Sequence, residues 1–361
     1  MPGIAATSIV DLTNLTRAAQ PNILQETQEF TAVPLVKLLL NSNRKSVSGG
    51  TGYQMNLRIL DKTTARQVLP YEATSTIHED LTAVQVTGWT HGEQKYEYDK
   101  RIIRMNQGGA QIVEYMKAQR SGAWANIWTK KERMLAGIKD SASDPLKYWG
   151  LAYWFRTLAL NVADPTGSFS GKTAYYPDGT TETLRAGIDL NLARNARCPN
   201  FAGTYSGYVD EPFFDLYRRA LTRTDFMVFP KLEGEAPAGS SASDCYSVAS
   251  HDICDQWVKR INKGPDDQHG DTERFTDPQF RGVKTVRCPV LSEFAYNPVY
   301  GLKRNKVHGI VLGGEWLTET EPTNDASTLL TYVIGIHDTS NLTVDDCRSG
   351  GFVLHTVRTA A

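Results

Sequence analysis

The sequence predicts an α+β protein, and three observations carry that reading. Tyr53, Met55, Leu57 and Ile59 alternate with Gln54, Asn56 and Arg58, the period-two pattern of a half-buried strand. Further along the period becomes helical: Ile112, Met116, Ala123, Ile127, Met134 and Ile138 hold one apolar stripe with spacings of four, seven, four, seven and four. From Asp144 to about Gly335, helix and strand patterns follow one another as in a mixed globular unit, without an internal repeat or a low-complexity tract.

Composition bounds the function. A chain of 361 residues is about two average domains, or one large domain with an elaboration, and can bury a sizeable core. With 39 basic and 40 acidic residues there is no global field to favour nucleic acid, a membrane surface or an acidic ligand, so any nucleic-acid contact must be local. The longest apolar run, Val33 to Leu40, is broken by Lys37 and is far shorter than the roughly 20 residues a membrane-spanning helix needs. The first residues lack the basic and apolar regions of a secretion signal, which leads to the expectation of a protein that is cytosolic when made. Cys198, Cys245, Cys254, Cys288 and Cys347 form an odd set without a C-x-x-C pair, and they read as buried thiols.

In chain order, residues 1–30 are mixed and polar, with short helical patterns at "LTRAAQ" and "ILQETQEF". Pro34 opens a short apolar helix or strand, and Asn41 to Gly52 is a turn-rich break. The strand from Tyr53 is answered by a return strand that starts at Val84 and Val86 and is expected to continue to Tyr96 and Tyr98. Such a two-stranded ribbon is marginal in water and needs a surface to lie on. The helix from about Gly108 to Lys139 carries Glu114, Lys117, Arg120, Lys130, Lys131, Glu132 and Arg133 on its other faces, so it is expected to be a surface-lying spine, with Gly122 as the place for a kink. "DEPFFDLYRRALTR" reads as a helix capped by Asp210 with Pro212 in its first turn. "DICDQWVKRINK" reads as another helix. Strands are expected at "DFMVFP", "GVKTVRCPVL", "VHGIVLGGEWL", "TYVIGI" and "GGFVLHTV".

No motif assembles a reaction centre, and the predicted catalytic, cofactor-binding and metal sites are none. "GSFSGKT" at Gly167 to Thr173 has its first glycine one residue too close for a phosphate-binding loop, and no helix pattern follows. "GGTGY" precedes a strand where a dinucleotide loop would open a helix. His251 and Cys254 supply only two ligands of a tetrahedral metal site. The other histidines lack H-E-x-x-H spacing, and the acids around Asp266 lack the spacing of a calcium loop. Asn14 and Asn341 stand in N-x-T sequons, which matter only in a secreted chain.

Taken in order, the N-terminal segment, the hairpin from "GGTGYQMNLRI" to "KYEYD", the helix "GGAQIVEYMKAQRSGAWANIWTKKERMLAGI", the mixed central unit and the closing strands resemble the major capsid proteins of tailed bacteriophages. The resemblance is one of order and proportion over nearly the whole chain. It implies the Hong Kong 97-type capsid fold: an N-terminal arm (1–48), an extended β-hairpin loop (49–100), a peripheral domain with a long spine helix (101–143 and 336–361) and an axial domain (144–335) edged by peripheral-domain strands. It further implies hexamers and pentamers forming an icosahedral shell around double-stranded DNA. Separate scaffolding, portal and decoration proteins, non-specific DNA contact, no membrane, and residence in the virion after assembly in the host cytoplasm would follow. On this resemblance Tyr53, Met55, Leu57, Lys62, Arg66, Tyr71, Glu72, Glu79 and Asp80 contact neighbouring subunits, and Gly49, Gly50 and Gly52 form the hinge of the loop. Two alternatives differ in function: an encapsulin-like nanocompartment of the same fold, and a soluble hydrolase or sugar-binding protein using Tyr148 to Phe155, His251 and Asp252.

Overall fold

The computed structural model describes residues 9–23, 33–59, 82–101, 109–137, 148–158, 166–169, 174–175, 181–224, 245–261, 279–280, 283–324 and 330–357. Two sheets organise them. The six-stranded sheet is built on one long strand, Thr331–Val344. Ten residues of it, Thr331 to Ser340, pair antiparallel with Asp99 to Thr90. Its opposite edge takes Thr323–Asn324, then Thr318–Glu319, then Val307–Leu312, and Arg44–Val47 closes that side as a parallel strand. The spine helix, Gly109–Ala136, packs on this sheet and runs uninterrupted through Gly122. At 28 residues it is about 42 Å long for a rise of 1.5 Å per residue.

The second sheet has seven strands in the order Gln279–Phe280, Val283–Arg287, Cys245–Ala249, Val299–Lys303, Gly351–Thr356, Phe201–Tyr205 and Ser168–Phe169. Against it lie the helices Glu211–Arg223 and His251–Ile261, whose Phe213, Tyr217 and Trp257 meet edge-on or stacked in an aromatic core. The Asp210 cap forms as expected: its carboxylate accepts the Phe213 N–H at 3.0 Å, with Pro212 beside it in the first turn. Replacing Asp210 with Ala should lower the unfolding free energy by about 1 kcal/mol, read from urea midpoints of the two proteins.

The structure corrects several expectations. Residues 41–52 contain a strand, Arg44–Val47, where turn formers predicted a break. The two strands of the extended loop are Gly52–Arg58 and Thr82–Gly88, and Thr90–Asp99 belongs instead to the six-stranded sheet. Tyr96 and Tyr98 therefore pack under the spine helix and are no part of the loop. Gly351–Thr356, assigned above to the peripheral unit, lies inside the seven-stranded sheet between Val299–Lys303 and Phe201–Tyr205. The strand expected at "DFMVFP" falls outside the described residues.

All five cysteines are buried free thiols. Asn341 is buried too, and its amide donates to the Gly88 carbonyl at 2.9 Å, so it serves the junction between loop and sheet. No helix among the described residues is long and apolar enough to cross a membrane.

Candidate functional site

The hairpin expected to form the extended loop and the polar contacts of the spine helix are the features to place first. At the loop's base, the strands pair Tyr53 with Thr87, Met55 with Gln85 and Leu57 with Ala83, which puts these six side chains on one face. That face meets its own chain. Leu57 and Ile59 are buried against Ile188, Leu190 and Cys198. Gln85 donates to the Val344 carbonyl at 2.9 Å, and the Thr87 and Thr343 hydroxyls lie 3.0 Å apart. The backbone N–H of Val86 donates to the Ala186 carbonyl at 3.0 Å. Leu57, expected at a subunit contact, is thus an intrachain anchor, while Tyr53 and Met55 are half-buried and Lys45 sits 5.9 Å from the Tyr53 ring. Val84, Gln54 and Asn56 stay exposed on the opposite face. Lys62, Arg66, Tyr71, Glu72, Glu79 and Asp80 lie outside the described residues.

The glycines differ among themselves. Gly50 has φ +109°, a conformation that favours glycine, and its carbonyl accepts the Trp89 indole N–H at 2.8 Å. A Cβ on Gly52 would stand 2.7 Å from the Thr87 carbonyl oxygen, so that residue is needed for strand pairing. Nothing lies within 4 Å of the position a Cβ on Gly49 would take.

Three polar joints lock the spine helix. Glu319 accepts Arg120 Nε at 2.8 Å and Nη2 at 3.1 Å, Trp124 Nε1 at 2.9 Å and Arg17 Nε at 2.9 Å. Arg17 comes from the N-terminal helix Ile9–Ala19, so one carboxylate ties that helix, the spine and the sheet together. Burial acts to raise the Glu319 pKa, but the hydrogen bond and charge of Arg120, with Trp124 and Arg17, outweigh it and hold the group below the usual carboxylate range. Lys131 forms a buried ion pair with Asp338, donates to Ser340 at 3.0 Å and faces the Trp316 ring at 5.3 Å. Glu132 accepts the backbone N–H groups of Leu35 at 3.0 Å and Val36 at 2.9 Å, at the start of the helical turn Val36–Asn41, with the Cys288 thiol at 3.4 Å. Burial pushes the Glu132 carboxyl up to about 7 against these hydrogen bonds. Arg120, Lys131 and Glu132 were expected on the solvent side of the helix. All three are buried.

Nothing comparable gathers around the motifs set aside above. His251 and Asp252 are exposed at a helix start while Cys254 is buried, and no cluster of three metal-ligating side chains occurs among the described residues. Gly167 lies in the core against Phe201 and Leu216. Tyr148 and Leu151 to Phe155 are buried, which leaves little of that aromatic run to serve a sugar.

No protein-family model matches the sequence, and no curated protein matches it. Solved structures do. A chain of the cyanophage A-1(L) capsid asymmetric unit is similar at a TM-score of 0.60 and 10% identity, over 91% of this chain and 93% of that one. A chain from the capsid of the native GTA particle is similar at a TM-score of 0.53 and 11% identity, over 91% of each. This chain has the Hong Kong 97-type capsid fold. Within it the spine helix packs on the six-stranded sheet, and the hairpin of the loop is Gly52–Arg58 paired with Thr82–Gly88. All three joints are made by side chains of the spine helix.

Proposed function

We propose that the chain is the major capsid protein of a tailed phage, whose copies assemble as hexamers and pentamers into an icosahedral shell around double-stranded DNA. The supporting observation is the likeness to capsid subunits over nine-tenths of the chain, joined to an extended loop whose base is anchored in its own subunit while its outer face stays exposed. A two-stranded ribbon gains from lying on a neighbour, because the area it buries there belongs to the assembly. The tip residues Lys62, Arg66, Tyr71, Glu72, Glu79 and Asp80 make those contacts, with Tyr53 and Met55 at their margin and Gly49 and Gly50 as the hinge. The role is structural, not enzymatic. Scaffolding, portal and decoration functions belong to other proteins, DNA is touched without sequence preference, and the protein resides in the virion after assembly in the host cytoplasm.

Electron microscopy of the full chain, purified alone at low and at high concentration, should show rings or closed shells in at least one of the two preparations. A protein that stays monomeric in both would sink the reading.

A further inference from the structure

Of the three joints of the spine helix, one brings together two groups that can react with each other. Lys131 and Asp338 are in direct contact, and their side chains are only 8% and 5% exposed. Aromatic rings wall the contact: Lys131 Nζ lies 5.8 Å from the centre of the Tyr148 ring and 5.3 Å from that of Trp316. Ser340 bridges the two groups, because its hydroxyl accepts from Lys131 Nζ at 3.0 Å and donates to Asp338 Oδ2 at 2.8 Å. Asp338 Oδ1 is buried and has no hydrogen-bond partner among the described residues. The buried pair of Arg120 with Glu319 differs in kind. Its carboxylate is also held by Trp124 and Arg17, and a guanidinium stays charged where a lysine amine can give up its proton and attack. Burying an ion pair costs desolvation that the mutual attraction repays only in part, whereas an amide in the same place carries no charge. Two groups held in reacting geometry behave as though each were present at about 10⁵–10⁸ M.

We propose that Lys131 and Asp338 of one subunit join in an intramolecular isopeptide bond, with Ser340 as the proton relay. Proton transfer within the ion pair leaves a neutral amine and a carboxylic acid. The Nζ lone pair attacks Asp338 Cγ, Ser340 takes one Nζ proton and passes its own to Oδ2, and the Cγ–Oδ2 bond breaks. Oδ2 leaves as water, carrying that proton and the one it gained from the ion pair, while Oδ1 becomes the amide oxygen. No oxidant, nucleotide or other reagent is consumed. The bond spans 207 positions of the chain and ties the spine helix to the strand Thr331–Val344. The joint then persists in the unfolded chain, whose freedom it restricts.

The test is the intact mass of the full-length wild-type subunit, kept folded at neutral pH and then denatured for mass spectrometry. It should be lighter than the sequence requires by one water molecule, and a tryptic digest should yield a branched peptide that joins Lys131 to Asp338. Lys131→Arg, which keeps the charge opposite Asp338, should have the full mass. Ser340→Ala should lose its water at least about 100-fold more slowly, the contribution of a positioned proton carrier. The wild-type mass decides the matter even where a variant fails to fold. A wild-type chain that keeps its full mass after prolonged incubation, or a lost water that maps to other residues, overturns the proposal, and a Ser340→Ala subunit that reacts at the wild-type rate overturns the relay.

Discussion

Glu319→Ala should be among the most damaging single substitutions in the subunit, costing about 3–5 kcal/mol of unfolding free energy. The side chains of Glu319 and Arg120 are each only 8% exposed, so removing the carboxylate leaves a guanidinium buried with no counter-charge. The same change frees the Trp124 indole N–H and the Arg17 guanidinium that ties the N-terminal helix to the sheet. A local comparison sharpens the test. Arg133 and Glu293 form a pair of similar length, 2.8 Å, but their side chains are 47% and 48% exposed. Arg133→Ala should therefore cost less than about 1 kcal/mol. Urea unfolding of the three proteins under identical conditions measures both, and equal losses would refute the ranking. Glu319 also has its pKa depressed, so its contribution is present above the ordinary carboxylate pKa and disappears as pH falls through the lower folded value.

Glu132 should impose the opposite pH dependence. Its carboxyl rises from 4.5 to about 7 on folding, with burial as the main cause. Below pH 4.5 the group is protonated in both states, and its contribution is fully present. Between 4.5 and about 7 the folded chain keeps a proton that the unfolded chain has lost, so stability falls as pH rises through that window. The loss amounts to on the order of 3 kcal/mol at about 1.4 kcal/mol per pKa unit. Glu132→Gln removes the titration and keeps an oxygen to accept one of the two N–H groups of Leu35 and Val36. The difference in urea stability between wild type and Glu132→Gln, taken from pH 4.5 to 8, cancels the other carboxylates and should shift in favour of the variant as pH rises. A constant difference across that range would show that Glu132 does not titrate there.

Much of this was legible before any coordinates. The spine helix, the Asp210 cap, the hairpin strand from Tyr53 and the buried thiols follow from periodicity, capping chemistry and cysteine arithmetic. The spine joints were half legible. The stripe at 112, 116, 123, 127, 134 and 138 skips a place twice, and Arg120 and Lys131 stand in the two gaps. A charge on the apolar face of a helix is a request for a buried partner, and Glu319 and Asp338 answer it from about 200 residues away, as the separations of 199 and 207 show. No local pattern names those partners. The long strand failed for a related reason: "TYVIGI" shows its apolar half, but Ser340, Asn341 and Thr343 look like a loop until their side chains are seen bonded to Lys131, Gly88 and Thr87. The extent of the extended loop is not legible locally, because Thr90–Asp99 alternates like a hairpin strand while pairing with residues far along the chain (Thr90 with Ser340, Asp99 with Thr331).

The place of Gly351–Thr356 in the seven-stranded sheet has a consequence for synthesis on the ribosome. The strand bonds Val299–Lys303 on one side and Phe201–Tyr205 on the other, so the sheet is split until it arrives. A nascent chain that has emerged only as far as residue 350 holds two raw strand edges where the finished subunit has none. Because the bridging strand follows both of its partners in the chain, a nascent chain that stops short of it lacks the middle of the seven-stranded sheet.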